Sequence, residues 1–183
     1  MEYNLFFQSI NNALNEKELI SIFTDKENTD NFSAGFVIIL NEETLIFNSI
    51  NPDGMDDGLE VININDIYEI AYDDQYLKRL KFLRENSDEF IKKTEFILSD
   101  NEKSFYDVLC KCKENKVLVS INLCYGIGHY GIINEIDGEC VLLQDFDEIG
   151  KEDGFSCFKI SDIIKIFIDD KRLRRIKLLS KFR

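Results

Sequence analysis

The sequence predicts a mainly β chain with helices (α+β class), built as two tandem five-stranded units, each preceded and followed by a helix. Two observations carry this reading. First, punctuating residues recur at one fixed offset. Gly35, Leu45-Ile46-Phe47, Asp57-Gly58, Asp66-Ile67, Ile70, Asp73-Asp74, Leu80 and Leu83 return 96 residues later as Gly131, Val141-Leu142-Leu143, Asp153-Gly154, Asp162-Ile163, Ile166, Asp169-Asp170, Ile176 and Leu179. A constant offset over so many positions marks a duplicated structural unit. Second, each copy holds short runs of isoleucine, valine and aromatics parted by turn residues, flanked by segments with helical spacing. At 183 residues, 44% hydrophobic and 31% charged, the chain is long enough for two domains and apolar enough to bury their cores.

The elements follow in order. Tyr3, Phe6 or Phe7, Ile10 and Leu14 predict an amphipathic helix. Its counterpart is Phe105, Tyr106, Leu109 and Cys112, at an offset of 99. The change from 99 to 96 places three extra residues in an early loop of the first unit, around Asp25–Asp30, where insertions are cheap. Strands are expected at Leu19–Thr24, Ala34–Leu40, Thr44–Ile50, Leu59–Ile64 and Ile67–Tyr72. In the second copy they are expected at Val117–Leu123, Tyr130–Ile136, Glu139–Asp145, Phe155–Ile160 and Ile163–Ile168. Asn41-Glu42-Glu43 and Asp137-Gly138 read as tight hairpin turns, and residues 51–58 as a longer loop. Asn65-Asp66 and Ser161-Asp162 leave room only for a tight turn or corner between strands four and five. Gly35 and Gly131 suit a bend at the start of strand two. Asp73 or Asp74 caps a closing helix over Gln75–Arg84, and Asp169 or Asp170 caps another over Lys171–Lys181. The predicted domains are residues 1–84, a helical linker at 85–103, and residues 104–183.

Composition narrows the function classes. No apolar run is long enough to span a bilayer, and the amino terminus lacks the basic and cleavage features of a secretory leader. A soluble, cytoplasmic protein is the expectation. The five cysteines, Cys110, Cys112, Cys124, Cys140 and Cys157, are odd in number and read as reduced thiols. With His129 as the single histidine, ligand spacing for zinc is absent. The net charge of −13 opposes nonspecific attraction to nucleic acid. Lys171–Arg183, with seven basic residues and no acidic one, is the exception. It reads as a solvated terminal helix, or else as a strip for an acidic partner or RNA.

A short helix followed by five strands, a glycine-bearing second strand and a tight corner between strands four and five resembles the Sm-like (LSm) barrel. Other small SH3-like barrels share this order of strands. The resemblance covers most of Leu19–Tyr72 and Val117–Ile168 with their preceding helices, so the chain looks like a tandem Sm-like protein. The run DG…DIxxI…DD is also similar to that of uncharacterised bacterial proteins carrying such barrels. The resemblance implies assembly through strand edges, with strands four and five as those edges. It also implies RNA binding through loops. The matching loop positions, however, read Asn41-Glu42-Glu43-Thr44 and Asn65-Asp66, or Asp137-Gly138-Glu139 and Ser161-Asp162, with acid where phosphates would lie.

No enzyme is read from the residues. Asp56-Asp57, Asp73-Asp74 and Asp169-Asp170 lack calcium-loop spacing and suit turns and caps instead. Tyr125-Gly126-Ile127-Gly128-His129-Tyr130-Gly131 leads into a strand rather than opening a helix, so it reads as a hairpin loop and not a phosphate loop. No cofactor and no metal are expected. The leading function is a noncatalytic interaction or assembly module that meets protein partners or itself through strand edges, without DNA or membrane. RNA binding through the basic terminal helix is the alternative. A small-ligand or enzymatic site around Tyr125–Tyr130 is the third reading. The candidate surface residues are Tyr125, His129, Tyr130, Arg172, Arg174 and Arg175.

Overall fold

Leu19-Ile20-Ser21-Ile22 is buried at every position, which identifies it as a strand covered on both faces. The computed structural model, which describes residues 5–91 and 104–182, shows how that arises. The chain divides into two compact units, Met1–Ser87 and Asp88–Arg183. The first contains α1 (Leu5–Glu16), β1 (Leu19–Phe23), β2 (Ser33–Leu40), β3 (Thr44–Ile50), β4 (Asp56–Asn63), β5 (Glu69–Tyr72) and α2 (Gln75–Glu85). A short helix, α3 (Ser87–Ile91), spans the boundary. The second unit continues with α4 (Phe105–Glu114), β6 (Leu118–Leu123), β7 (Gly128–Ile136), β8 (Cys140–Phe146), β9 (Glu152–Lys159), β10 (Ile163–Ile168) and α5 (Lys171–Leu179).

Each unit is a mixed α+β domain around one antiparallel five-stranded sheet. The order is β4-β3-β2-β1-β5 in the first and β9-β8-β7-β6-β10 in the second. The sheets are open rather than closed barrels: among the described residues β4 pairs with β3 alone, and β5 with β1 alone. The link between them is a single 3-10 turn, Ile64–Asp66, matched by Ile160–Asp162. It carries the chain to the opposite edge as a corner, so it is no hairpin.

Alternation along β1 sends Ile20 and Ile22 to one face and Leu19 to the other. On the first face α1 packs Ile10 and Ala13 against Ile20, Ile22, Val37, Leu45, Phe47 and Ile67. On the second, α2 packs Leu77 and Leu80 against Leu19, Ala34 and Ile50. The other unit repeats this plan. Leu109 and Cys112 of α4 join Val119, Ile121, Leu143 and Phe158, while Leu173 and Ile176 of α5 cover Leu118. Burial of each such aliphatic side chain contributes about 1.5–3 kcal/mol, far more than any surface ion pair here.

Several residues are dictated by the backbone. Gly35 approaches the Asn48 carbonyl and the Phe47 ring so closely that a Cβ would overlap both, and Gly131 stands likewise against Gln144 and Leu143. These glycines therefore make room for large core side chains on the neighbouring strand, as well as sitting near the start of strand two. The loop after β3 closes on Asn51, whose Oδ1 accepts from the amides of Asp53 and Met55. Asp147 does the same for Ile149 and Lys151. That loop is shorter than residues 51–58, because Asp56 and Asp57 already belong to β4. Asp74 and Asp170 cap α2 and α5, each at 2.8 Å from the amide three residues on. A capping box of Ser104 and Asp107 starts α4.

Of the expected linker, residue 85 ends α2, and α3 contributes Glu89 and Phe90 to contacts with Lys181 and Lys171. Its apolar residues Phe96, Ile97 and Leu98 lie outside the described residues, as does Tyr3 of the first helix.

Candidate interaction surface

Three places in the structure bear on interaction: the β6–β7 hairpin with α5, the outer strands, and a groove that both units carry.

Residues 124–127 form the turn of the β6–β7 hairpin, with Tyr125 55% exposed at its tip. From there β7 sends consecutive side chains to opposite faces. His129 enters the α4 face, where its ring stacks on Phe158 at 5.4 Å and its Nδ1 lies 3.1 Å from Asp145 Oδ1. Tyr130 faces α5. Its hydroxyl accepts from Arg172 Nη1, and the guanidinium sits 5.6 Å from the ring centroid, a cation–π pairing. Of the six sequence candidates, the structure thus joins Tyr130 to Arg172 and turns His129 to the other face. Arg174 and Arg175 are half-buried on α5, and Arg174 lines a notch described below.

The outer strands present uncovered apolar side chains. In β4, Leu59 and Val61 are 69% and 72% exposed. The register aligns Ile39, Ile46 and Val61 across three strands, on the face that α2 covers only toward Ile50. In β9, Phe155 is 61% exposed, and the corresponding row reads Glu135, Leu142 and Cys157. Contiguous exposed apolar side chains on an edge strand are a recognised liability unless a partner covers them.

The groove lies between the C-terminal turn of α1 and the side of α2. It measures about 610 Å³ and has a floor of Leu19, Phe36 and Leu77. Lys17, Lys78, Lys81 and Arg84 line it, with Glu16, Glu18, Asp73 and Glu85. Its repeat in the second unit is a notch of about 90 Å³, lined by Asn115, Lys116, Val117, Leu118, Asp169, Leu173, Arg174 and Lys177. These residues lie on separate elements, so no local sequence pattern groups them. The only local signal was the recurrence of lysine at the end of both first helices.

Electrostatic perturbations are modest. The Asn48 amide hydrogen-bonded to Asp56 Oδ1 at 2.9 Å, aided by Arg84, holds that carboxyl below its ordinary value. The Glu139 and Cys140 amides do the same for Asp137. Burial raises the Cys112 thiol to about 11. All five cysteines are free thiols, and among the described residues no three His, Cys, Asp or Glu side chains converge as a metal site. No helix among those residues is long and apolar enough to cross a membrane. Compared with known proteins, the chain matches no protein-family model, no curated protein and no solved structure.

Proposed function

We propose that the protein is a noncatalytic interaction module of Sm-like build that assembles, with itself or with protein partners, through its strand edges. One observation carries this reading: among the described residues each sheet ends in a strand that pairs on one side only and bears exposed apolar residues, Leu59 and Val61 on β4 and Phe155 on β9. Unpaired edge amides and carbonyls supply the hydrogen bonds of such a contact, and the apolar row supplies its burial. The strand order also suits the Sm-like resemblance, in which strands four and five are the joining edges.

Light scattering and native pull-down of the full chain test this, with Leu59→Lys/Val61→Lys and Phe155→Lys as variants. Assemblies above the 21.4 kDa monomer, or a captured protein, lost in either variant while its circular dichroism is unchanged, are the expected result. A wild-type monomer that captures no protein, or assembly indifferent to these charges, overturns the reading. RNA binding draws less support. Lys171 and Arg172 of the basic helix rest over the Phe90 and Tyr130 rings, and Glu42 and Glu43 are exposed at the β2–β3 turn.

A further inference from the structure

The paired grooves point beyond assembly. In the first unit, four of the six basic residues, Lys17, Lys78, Lys81 and Arg84, line one groove. Comparing the copies separates what is shared from what is incidental. Lys17, Lys78 and Lys81 correspond to Lys116, Arg174 and Lys177, Asp73 to Asp169, and the floor residues Leu19 and Leu77 to Leu118 and Leu173. The other three carboxylates are not shared: Glu16, Glu18 and Glu85 become Asn115, Val117 and Lys181. Three cations and one aspartate over two leucines is the common motif, in a chain whose net charge is −13.

Two further observations set these lysines apart. Lys78 is committed to Asp73 at 3.1 Å, but Lys17, Lys81, Lys116 and Lys177 have no side-chain partner among the described residues. Moreover Lys17 and Lys116 hold the left-handed position that ends α1 and α4, with φ of 53° and 50°. Glu18 N donates to Ala13 O and Val117 N to Cys112 O, both at 2.9 Å, which closes the same helix-ending turn. Glycine is the relaxed residue there, and lysine costs on the order of 1 kcal/mol. Both copies carry lysine nonetheless.

We propose that the two grooves bind phosphoryl groups, and that the larger one, in the first unit, takes a nucleoside phosphate. Lys17 and Lys81 meet the phosphoryl oxygens in the first unit, and Lys116 and Lys177 in the second. The Arg84 guanidinium, which stands 5.6 Å over the Phe36 ring, gives a planar base a cationic stacking surface, and Glu16, Glu18 and Glu85 accept hydrogen bonds from its amino and hydroxyl donors. The notch in the second unit, smaller and without those carboxylates, holds a phosphoryl group alone. This inference is independent of assembly through strand edges.

Calorimetric titration of the full chain with inorganic phosphate, pyrophosphate, ATP and AMP tests it. Amide chemical shifts locate the ligand. ATP is expected to bind tighter than pyrophosphate at the first unit, with no such preference at the second. Lys17→Gln/Lys81→Gln should weaken ATP binding at least about tenfold, while Lys17→Arg/Lys81→Arg retains it. Lys116→Gln/Lys177→Gln should remove only the phosphoryl site of the second unit. No heat or shift with any probe at millimolar concentration overturns the proposal. So does binding that both glutamine variants keep, or an equal loss in a Lys26→Gln control outside the groove lining, which would mark diffuse attraction.

Discussion

The two units share a scaffold and differ in what they show to solvent. Positions held by backbone demand are the same in both. Asp73 and Asp169 have φ of 57°, Gly54 and Gly150 have φ of 82° and 78°, and the lysines that end the first helices are equally matched. Core positions mostly exchange one apolar side chain for another, as where Phe47 corresponds to Leu143, and Cys112 in place of Ala13 is a change of chemistry. Elsewhere the copies diverge. The β1–β2 connection runs from residue 24 to 32, whereas β6–β7 needs only 124 to 127. One divergence lies beneath the surface: the pair His129–Asp145, with Asp145 buried, has Ser33 and Ser49 as counterparts, and Ser33 instead donates to Glu60 at 2.7 Å. The apolar row Ile39, Ile46 and Val61 has Glu135, Leu142 and Cys157 as its counterpart in the second unit. Solvent-facing positions specialise more freely than strained and packed ones because their substitutions cost less stability.

The largest expected effect breaks the shared scaffold. Gly35→Ala and Gly131→Ala each force a Cβ into the backbone of the adjacent strand, and each should destabilise its unit by about 3 kcal/mol, the upper end of the overpacking range. Hydrogen exchange read separately over residues 5–87 and 104–182 checks this. Equal protection in variant and wild type would show that the close approach is not needed.

A smaller effect has the opposite sign. Lys17→Gly and Lys116→Gly remove left-handed strain and should each stabilise by about 1 kcal/mol, measured by urea denaturation. Stability gained together with phosphoryl binding lost would show that the lysines are kept for the ligand. An unchanged or lower midpoint would show that the lysine stems pack well enough to offset their strain.

The smallest effect distinguishes the units by pH. Cys112 takes the place of Ala13 in the core beneath the first helix. Its folded thiol is raised by burial from 9.0 to about 11. The unfolded chain therefore loses the proton first, and the second unit's stability is complete below pH 9 and declines as pH rises toward about 11. Cys112→Ala should flatten that decline. At neutral pH a thiol reagent should modify the exposed Cys124 and Cys157 rapidly and Cys112 only on unfolding. Prompt labelling of Cys112 would show an open core.

The duplication, the ten strands and a cap at Asp73 or Asp74 and at Asp169 or Asp170 were legible without coordinates, because each depends on residues close in sequence; the structure selects Asp74 and Asp170. Periodicity reports the local backbone, and a capping carboxylate reaches an amide only three residues away. The Ser104–Asp107 box was equally local, and its signal stood in the sequence. Strand ends were less legible. β4 begins at Asp56 within what read as a loop, since polar residues on an exposed edge look like turn residues. What only the tertiary structure decided is pairing: the open order with β4 and β5 at opposite edges, the separation of His129 from Tyr130, the contact of Tyr130 with Arg172, and the convergence of Lys17 with Lys78 and Lys81. These depend on register, bulges and helix placement between segments far apart along the chain, and no local pattern encodes which distant surface a side chain will meet.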